Sequence, residues 1–247
     1  MFRFWIVRTV QRLNIDHGSR IYKFLTAVYQ IISRDSRQGR RYVYSQFGED
    51  VFLMNFFGTT TGQYVDVGSG HPVIGSNTFV LYQRGWYGIS LDPIGKNIAL
   101  ARKRRPRDES ILALCGKIEE EIEFWEYESY DWSTTVQTRV NELAEQGFHP
   151  VRTHFLKVRP LSSLGLMATP QDPYVLSIDV EGAEMDVLRS NDWDAFTPPI
   201  IIAEEYSPPW LKISEINQFL NTRGYELKNY IGVSSIYVHK QSKRFVQ

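Results

Sequence analysis

The strongest constraint on this chain is an alternation that begins near residue 45, where short apolar runs, several closed by an acid or a glycine, take turns with stretches of helical periodicity. Alternation of this kind marks βαβ units around a mainly parallel sheet, since each parallel crossover lays a helix over the sheet. The first run, 63–67, is closed by Gly68, Ser69 and Gly70, and a helix is expected from Ser76, capped by Ser76 or Asn77, to Gly85. Run 86–91 ends in Asp92 and precedes a basic helix that Pro106 stops, and 111–114 reads as a third strand. Segment 118–127 alternates acidic and apolar residues at period two, so it reads as a half-exposed strand outside the parallel series. With a helix around 136–146 and an extended stretch at 153–158 it makes an insertion, about 118–160, of the sort that shapes substrate sites. The fourth strand, 174–178, runs into Asp179-Val180-Glu181-Gly182 and a helix to about Ser190. Pro198 and Pro199 introduce the fifth, 200–203, which ends in Glu204 and Glu205, and a helix at 214–223 leads to a hairpin of 225–230 and 235–240. The expectation is an α/β, Rossmann-like, mainly parallel sheet with an antiparallel C-terminal hairpin, spanning 42–247.

Bulk properties narrow the function less. The chain has 247 residues, 43% of them hydrophobic, which suffices for one sizeable core. Lys plus Arg and Asp plus Glu are equal at 28 each, so no overall field favours nucleic acid. A single cysteine, Cys115, excludes an internal disulfide or thiolate cluster and fits a reducing, cytoplasmic setting. Residues 1–41 stand apart as a basic, helical segment, with nine basic residues against Asp16 and Asp35. Its apolar runs are too short for the roughly 20 residues that span a bilayer. Two readings stand for it: a peripheral contact with anionic lipid or a phosphate-bearing carrier, or solvated helices that pack on the main domain or mediate homo-oligomer contacts.

In an open α/β sheet, ligands bind beyond the carboxyl ends of the strands, near the reversal of strand order. Asp66 and the turn Gly68-Ser69-Gly70 fall there, and glycine permits positive φ and close approach of a ligand. The third glycine of a dinucleotide fingerprint is replaced by Val73, which argues against a nicotinamide dehydrogenase and suits a cationic sulfonium with an amino acid tail. Asp92, at the end of the second strand, is placed to accept both ribose hydroxyls of an adenosine, or, with Pro93, to cap the next helix. Cys115 falls where the adenine edge would sit, or packs as a small core residue.

The sequence resembles the FkbM-type methyltransferases from about Ser45 to His239. The resemblance rests on Ser45-Gln46-Phe47-Gly48-Glu49-Asp50, Val65-Asp66-Val67-Gly68 with Pro72 and Ser76-Asn77-Thr78, Gly85-Trp86-Tyr87-Gly88, Asp92-Pro93, Ser177 to Glu184, and the strand ending in Glu204. It implies a class I methyltransferase fold, S-adenosylmethionine as donor, and the oxygen of a sugar, glycan or polyketide-like acceptor as target, as in polysaccharide biosynthesis. It also implies that Gln46, Asp66, Gly68, Asn77 and Asp92 line the cofactor pocket.

On the acceptor side, an alcohol needs a base or a metal to become a nucleophile at neutral pH. Asp179, Glu204 and Glu205 converge if the fourth and fifth strands are neighbours, which would make a hard-oxygen site suited to Mg²⁺. In the competing account Asp179 or Glu181 acts alone as base, or His154 or His71 does. In a third, Glu181 and Glu184 only cap the following helix. Trp125, Tyr127, Tyr130 and Trp132 either stack on a sugar or pack under the insertion. A reading of another class is a non-catalytic, cofactor-binding partner in a glycan-synthesis assembly, which loss of the acceptor-side acids would mark; here those acids are present.

Overall fold

Five short runs become adjacent parallel strands, three of them buried along almost their whole length and too short for a stable amphipathic helix. In a computed structural model, which describes residues 43–128, 132–206, 208 and 214–243, these are β1 (Gln63–Val67), β2 (Tyr87–Asp92), β3 (Glu109–Leu112), β7 (Tyr174–Ile178) and β8 (Ile200–Glu204). Together with the antiparallel hairpin β9 (Tyr225–Ile231) and β10 (Ser234–His239) they form one seven-stranded sheet in the order β3-β2-β1-β7-β8-β10-β9. The chain starts at the centre of the sheet and works outward in both directions, so the order reverses between β1 and β7. The register there pairs Val67 with Ile178, and Ile178 in turn with Ala203, which brings the carboxyl ends of β1, β7 and β8 level.

Helices cover both faces. On one face α1 (Glu49–Phe57) and α2 (Phe79–Gln83) bury Leu53, Phe57 and Leu81 against Tyr64, Val175 and Ile202, with Trp86 and Phe57 edge to face at 4.7 Å. The opposite face packs α5 (Glu184–Arg189) and α6 (Glu215–Asn221) through Val187, Leu188, Ile216 and Leu220 onto Val65, Leu176 and Ile201. The basic helix α3 (Gly95–Arg104) lies against β2 and β3. Three elements differ from the sequence expectation, the first being the third strand, which runs Glu109–Leu112 and leaves Leu114 to a strand of another sheet. The segment after β1 is helical only from Phe79, because the Ser76 hydroxyl takes the amides of Thr78 and Phe79 in a local turn. Helix α1 was not anticipated at all, although Leu53, Met54 and Phe57 followed by Gly58 carry its signal.

The stretch between β3 and β7 builds a separate three-stranded sheet, β4-β6-β5, from β4 (Leu114–Cys115), β5 (Glu121–Glu126) and β6 (Arg152–Arg159), with α4 (Gln137–Glu145) between the last two in sequence. Phe124, Val158, Leu114 and Ile94 form its small core, and the acids of β5 alternate outward as their spacing predicts. Residues 1–41 and Tyr130 lie outside the described residues. Among the described residues, no helix is long and apolar enough to cross a membrane.

Candidate active site

Two groups of residues meet where the strand order reverses. The first is the turn after β1. Gly68 has φ 72, and a Cβ on it would lie 1.7 Å from the carbonyl oxygen of Asp179, so both its conformation and its contact demand glycine. Its amide donates to Leu91 O at 2.9 Å while the Asp179 amide donates to Val67 O at 2.9 Å, which locks the ends of β1, β2 and β7 together. Gly70, at φ 52, donates its amide to Asp92 Oδ2 at 2.7 Å. The other oxygen of Asp92 accepts from Ile94 N at 2.8 Å and Asn97 Nδ2 at 3.2 Å. Three of the four acceptor positions of the carboxylate are therefore taken, and one remains on Oδ2. Asp92 thus does the capping work its sequence position allowed and keeps one acceptor position. Burial pushes its carboxyl up to about 6, against the pull of those amides.

Asp66, expected in the cofactor pocket, turns inward instead. Its Oδ2 accepts from the Thr78 hydroxyl, Ser177 donates to it as well, and Arg105 Nη1 lies 3.8 Å away. Arg105 is 1% exposed and has no counterpart among the site residues expected from the sequence, where it falls at the end of the basic helix that Pro106 stops. Its Nε donates to Pro72 O at 2.7 Å, Nη1 to Thr78 Oγ1 at 2.8 Å, and Nη2 to Ser76 Oγ. A second ion pair, 3.7 Å from Nη1, joins it to Asp108, which accepts from Tyr64 OH at 2.6 Å and Gly88 N at 3.0 Å. Ser76 is buried in this network, and Asn77 reaches Ser177 Oγ at 3.2 Å from the same loop. Asp66, Ser76 and Thr78 therefore hold the loop 72–78 against the sheet. Arg105 is the bolt of this network.

The remaining residues of the expected pocket divide. Gln46 is exposed on a loop that bridges to the segment after β1 through Ser45 and Gly75, beside Phe47, whose ring lies against Gly232 in the β9–β10 turn. His71 accepts the amides of Val73 and Ile74 on Nδ1 at 3.1 and 3.0 Å, and burial holds its pKa below the usual value. Cys115 does not face the turn. It is buried among Leu161, Leu176 and Val187, its thiol pushed up to about 12 by burial, and it behaves as a core residue.

The second group is acidic. Asp179, Glu181 and Glu204 each bring a carboxylate oxygen within 4.8 Å of the others. Asp179 and Glu204 follow from the register, since β7 and β8 are parallel neighbours with Ile178 opposite Ala203. Glu181 follows from strain: among the described residues it is the one non-glycine with positive φ, 56, and its Oε2 accepts from Tyr206 OH. Solvent reaches Asp179 from one side while protein closes the others; its carboxyl is pushed up to about 8, first by burial and then by the charges of Glu181 and Glu184. Glu204 is raised as well, by burial and then by Asp179. Each of the two acids thus makes the other harder to ionise, as carboxylates sharing a site do.

Glu205 is not part of this group. Consecutive residues at a strand end point to opposite sides, and Glu205 binds Tyr237 OH at 2.8 Å and the Ser214 hydroxyl, away from Asp179. Glu184 performs the capping role, taking Val180 N at 3.2 Å and Gly182 N at 3.0 Å on Oε1. His154 lies on β6, stacked on Phe124 at 5.6 Å, and the structure does not bring it to the acids. Val136, just before α4, sits 3.8 Å from where a Gly182 Cβ would be, so the insertion borders the acidic loop. Of the aromatics, Tyr127 is buried and Trp132 packs on Phe148 at 4.5 Å, which is the packing reading for these two, while Trp125 is half-buried on β5.

A doubly wound sheet of this order, finished by the β9–β10 hairpin and with its glycine turn and acids at the central carboxyl ends, is the Rossmann-like fold of methyltransferases. Residues 66–227 match the family described as "Methyltransferase FkbM domain", and the chain belongs to it. Among solved structures it is similar to methyltransferase FkbM from Methylobacillus flagellatus KT, with 12% identity over 76% of this chain and 48% of that one, at a TM-score of 0.47. It thus spans about half the length of that protein. It is also similar to a TehB-like SAM-dependent methyltransferase from Corynebacterium glutamicum, with 11% identity over 89% of this chain and 97% of that one, at a TM-score of 0.40. No curated protein matches the sequence.

Proposed function

We propose that the protein is an S-adenosylmethionine-dependent O-methyltransferase acting on a hydroxyl of a sugar or glycan. The observation that carries this reading is the contact between Gly68 and Asp179: the turn suited to the donor and the acid suited to the acceptor are neighbours across β1 and β7. The donor set fits the cofactor, because the turn presents backbone at Gly68 and Gly70 and Asp92 keeps one acceptor position for a ribose hydroxyl. When bound, S-adenosylmethionine supplies an electrophilic methyl group. The chain's own task is then to hold the acceptor oxygen in line and to take its proton. Asp179 is suited to that proton, since a carboxyl raised toward the working pH is a stronger base than an ordinary one, and Glu204 beside it stabilises whichever of the two is protonated. A sugar acceptor suits a site of converging carboxylates, which receive its neighbouring hydroxyls as hydrogen-bond donors. Residues 1–41 suit the part of a docking arm for a lipid-linked or membrane-borne acceptor.

The test is calorimetric titration with S-adenosylmethionine, S-adenosylhomocysteine and NAD, followed by a methyl-transfer assay on a panel of monosaccharides, nucleotide sugars and polyketide-like alcohols. Binding of the two adenosyl compounds but not NAD, with label entering a sugar, is the expected result. Absence of adenosyl binding removes the donor assignment, and transfer confined to nitrogen or to non-sugar alcohols removes the acceptor.

A further inference from the structure

We infer that Asp179, Glu181 and Glu204 form a binding site for one divalent cation that prefers oxygen ligands, such as Mg²⁺, Mn²⁺ or Ca²⁺. What the ion does for an acceptor hydroxyl rests on the methyl-transfer reading, whereas the site itself does not. Three carboxylate oxygens, one from each residue, lie within 4.8 Å of one another. Oxygen ligands sit about 2.0–2.6 Å from such ions, so two on opposite sides of one ion are separated by roughly 4–5 Å and two on adjacent edges by less. A spacing of up to 4.8 Å leaves all three within reach of one ion after small side-chain adjustments.

The independent observation is Glu204. It is 9% exposed and lies within hydrogen-bond reach of Asp179, and its Oε2 is wholly enclosed with no hydrogen-bond donor among the described residues. A carboxylate oxygen taken out of water without a donor is costly, and native interiors compensate such atoms with a partner or a metal. Among the described residues no lysine, arginine or histidine forms an ion pair with Asp179 or Glu204. The acids are held by rigid parts: Asp179 and Glu204 by the parallel ends of β7 and β8, and Glu181 by a left-handed turn that presents its side chain among them. Asp179 opens to solvent and leaves coordination positions for water or for an acceptor oxygen, whose pKa a bound cation lowers.

The experiment is a titration of the full-length protein with Mn²⁺, followed by electron paramagnetic resonance, with adenosyl binding measured on the same samples. One Mn²⁺ per chain is expected, with affinity weakened about tenfold or more in both Glu204→Gln and Asp179→Asn and unchanged in Glu205→Gln. Circular dichroism melts show that the variants are folded. Failure of the native protein to bind Mn²⁺, or binding that survives both Glu204→Gln and Asp179→Asn, overturns the site. Mn²⁺ binding without adenosyl binding leaves the cation site standing and removes the methyl-transfer reading, and the reverse pattern does the opposite.

Discussion

Replacing Arg105 by methionine keeps the side-chain length and removes the charge and all its donors, and the structure sets how much should be lost. The guanidinium makes three hydrogen bonds, to Pro72 O, Thr78 Oγ1 and Ser76 Oγ, and stands 3.8 and 3.7 Å from Asp66 and Asp108. Bonds from a charged donor contribute about 1.5–3 kcal/mol each, which would sum to roughly 5–9 kcal/mol if they were additive. They are not, since they share one group and the loop can relax, and breaking buried pairs typically costs about 3–5 kcal/mol. For a domain of this size each kcal/mol lowers Tm by about 2–4 °C, so Arg105→Met should melt about 6–20 °C below the native protein. Arg105→Lys, a point charge without the planar fork, should recover roughly half of that. The loop that loosens carries Ser76 and Asn77, so affinity for S-adenosylhomocysteine should fall in parallel. Differential scanning calorimetry and a ligand titration measure both. A Tm within about 2 °C of native would refute the claim that this arginine fastens the loop.

Gly68→Ala should destabilise far more than Gly75→Ala in urea melts: both glycines have positive φ, worth about 1–2 kcal/mol, but only Gly68 has backbone 1.7 Å from the new Cβ, while Gly75 has open space. Comparable losses would show that conformation alone, and not the Asp179 carbonyl, dictates Gly68. Asp92→Asn tests a raised acid. A carboxyl of pKa about 6 in the fold, against about 3.9 unfolded, binds an extra proton between those values, so its contribution to stability is lost as pH rises through 6. From pH 4 to 7 the stability difference should move in favour of the variant by up to about 3 kcal/mol, and parallel pH profiles would contradict it. Glu181→Gly should raise stability by about 1 kcal/mol through relief of the left-handed backbone and reduce methyl transfer; a lower melting point would mean that its contact with Tyr206 outweighs the strain.

The strands were legible where hydrophobicity and punctuation agreed. Runs 63–67 and 174–178 have the same ends in sequence and structure, because apolar residues stop abruptly at Gly68 and Asp179. Elements decided by side-chain hydrogen bonds were less legible, such as the late start of α2, where Ser76 serves Arg105 and a local turn rather than a helix end. The acids were found but not their sides: Glu204 and Glu205 are equivalent in composition, and only the turn of the chain after β8 sends one toward Asp179 and the other toward Tyr237. Glu181 entered the cluster through a backbone conformation that its sequence does not advertise. Arg105 was hidden by its neighbours, although its place next to Pro106, one residue past the helix, marked it as a group free to turn back into the protein.

The missing Cβ of Gly68 has a mechanical meaning. Because the turn and the Asp179 carbonyl pack with no side chain between them, the two halves of the site are a single rigid piece, and their spacing is fixed by sheet register rather than by any closing loop. On the proposed function, alignment of donor with acceptor would then be inherited from the fold. The border beside Gly182, where Val136 leads into α4, belongs to the insertion and is not bound by that register. Under the same proposal, substitutions in that wall should change acceptor preference while the spacing across β1 and β7 is left as it stands.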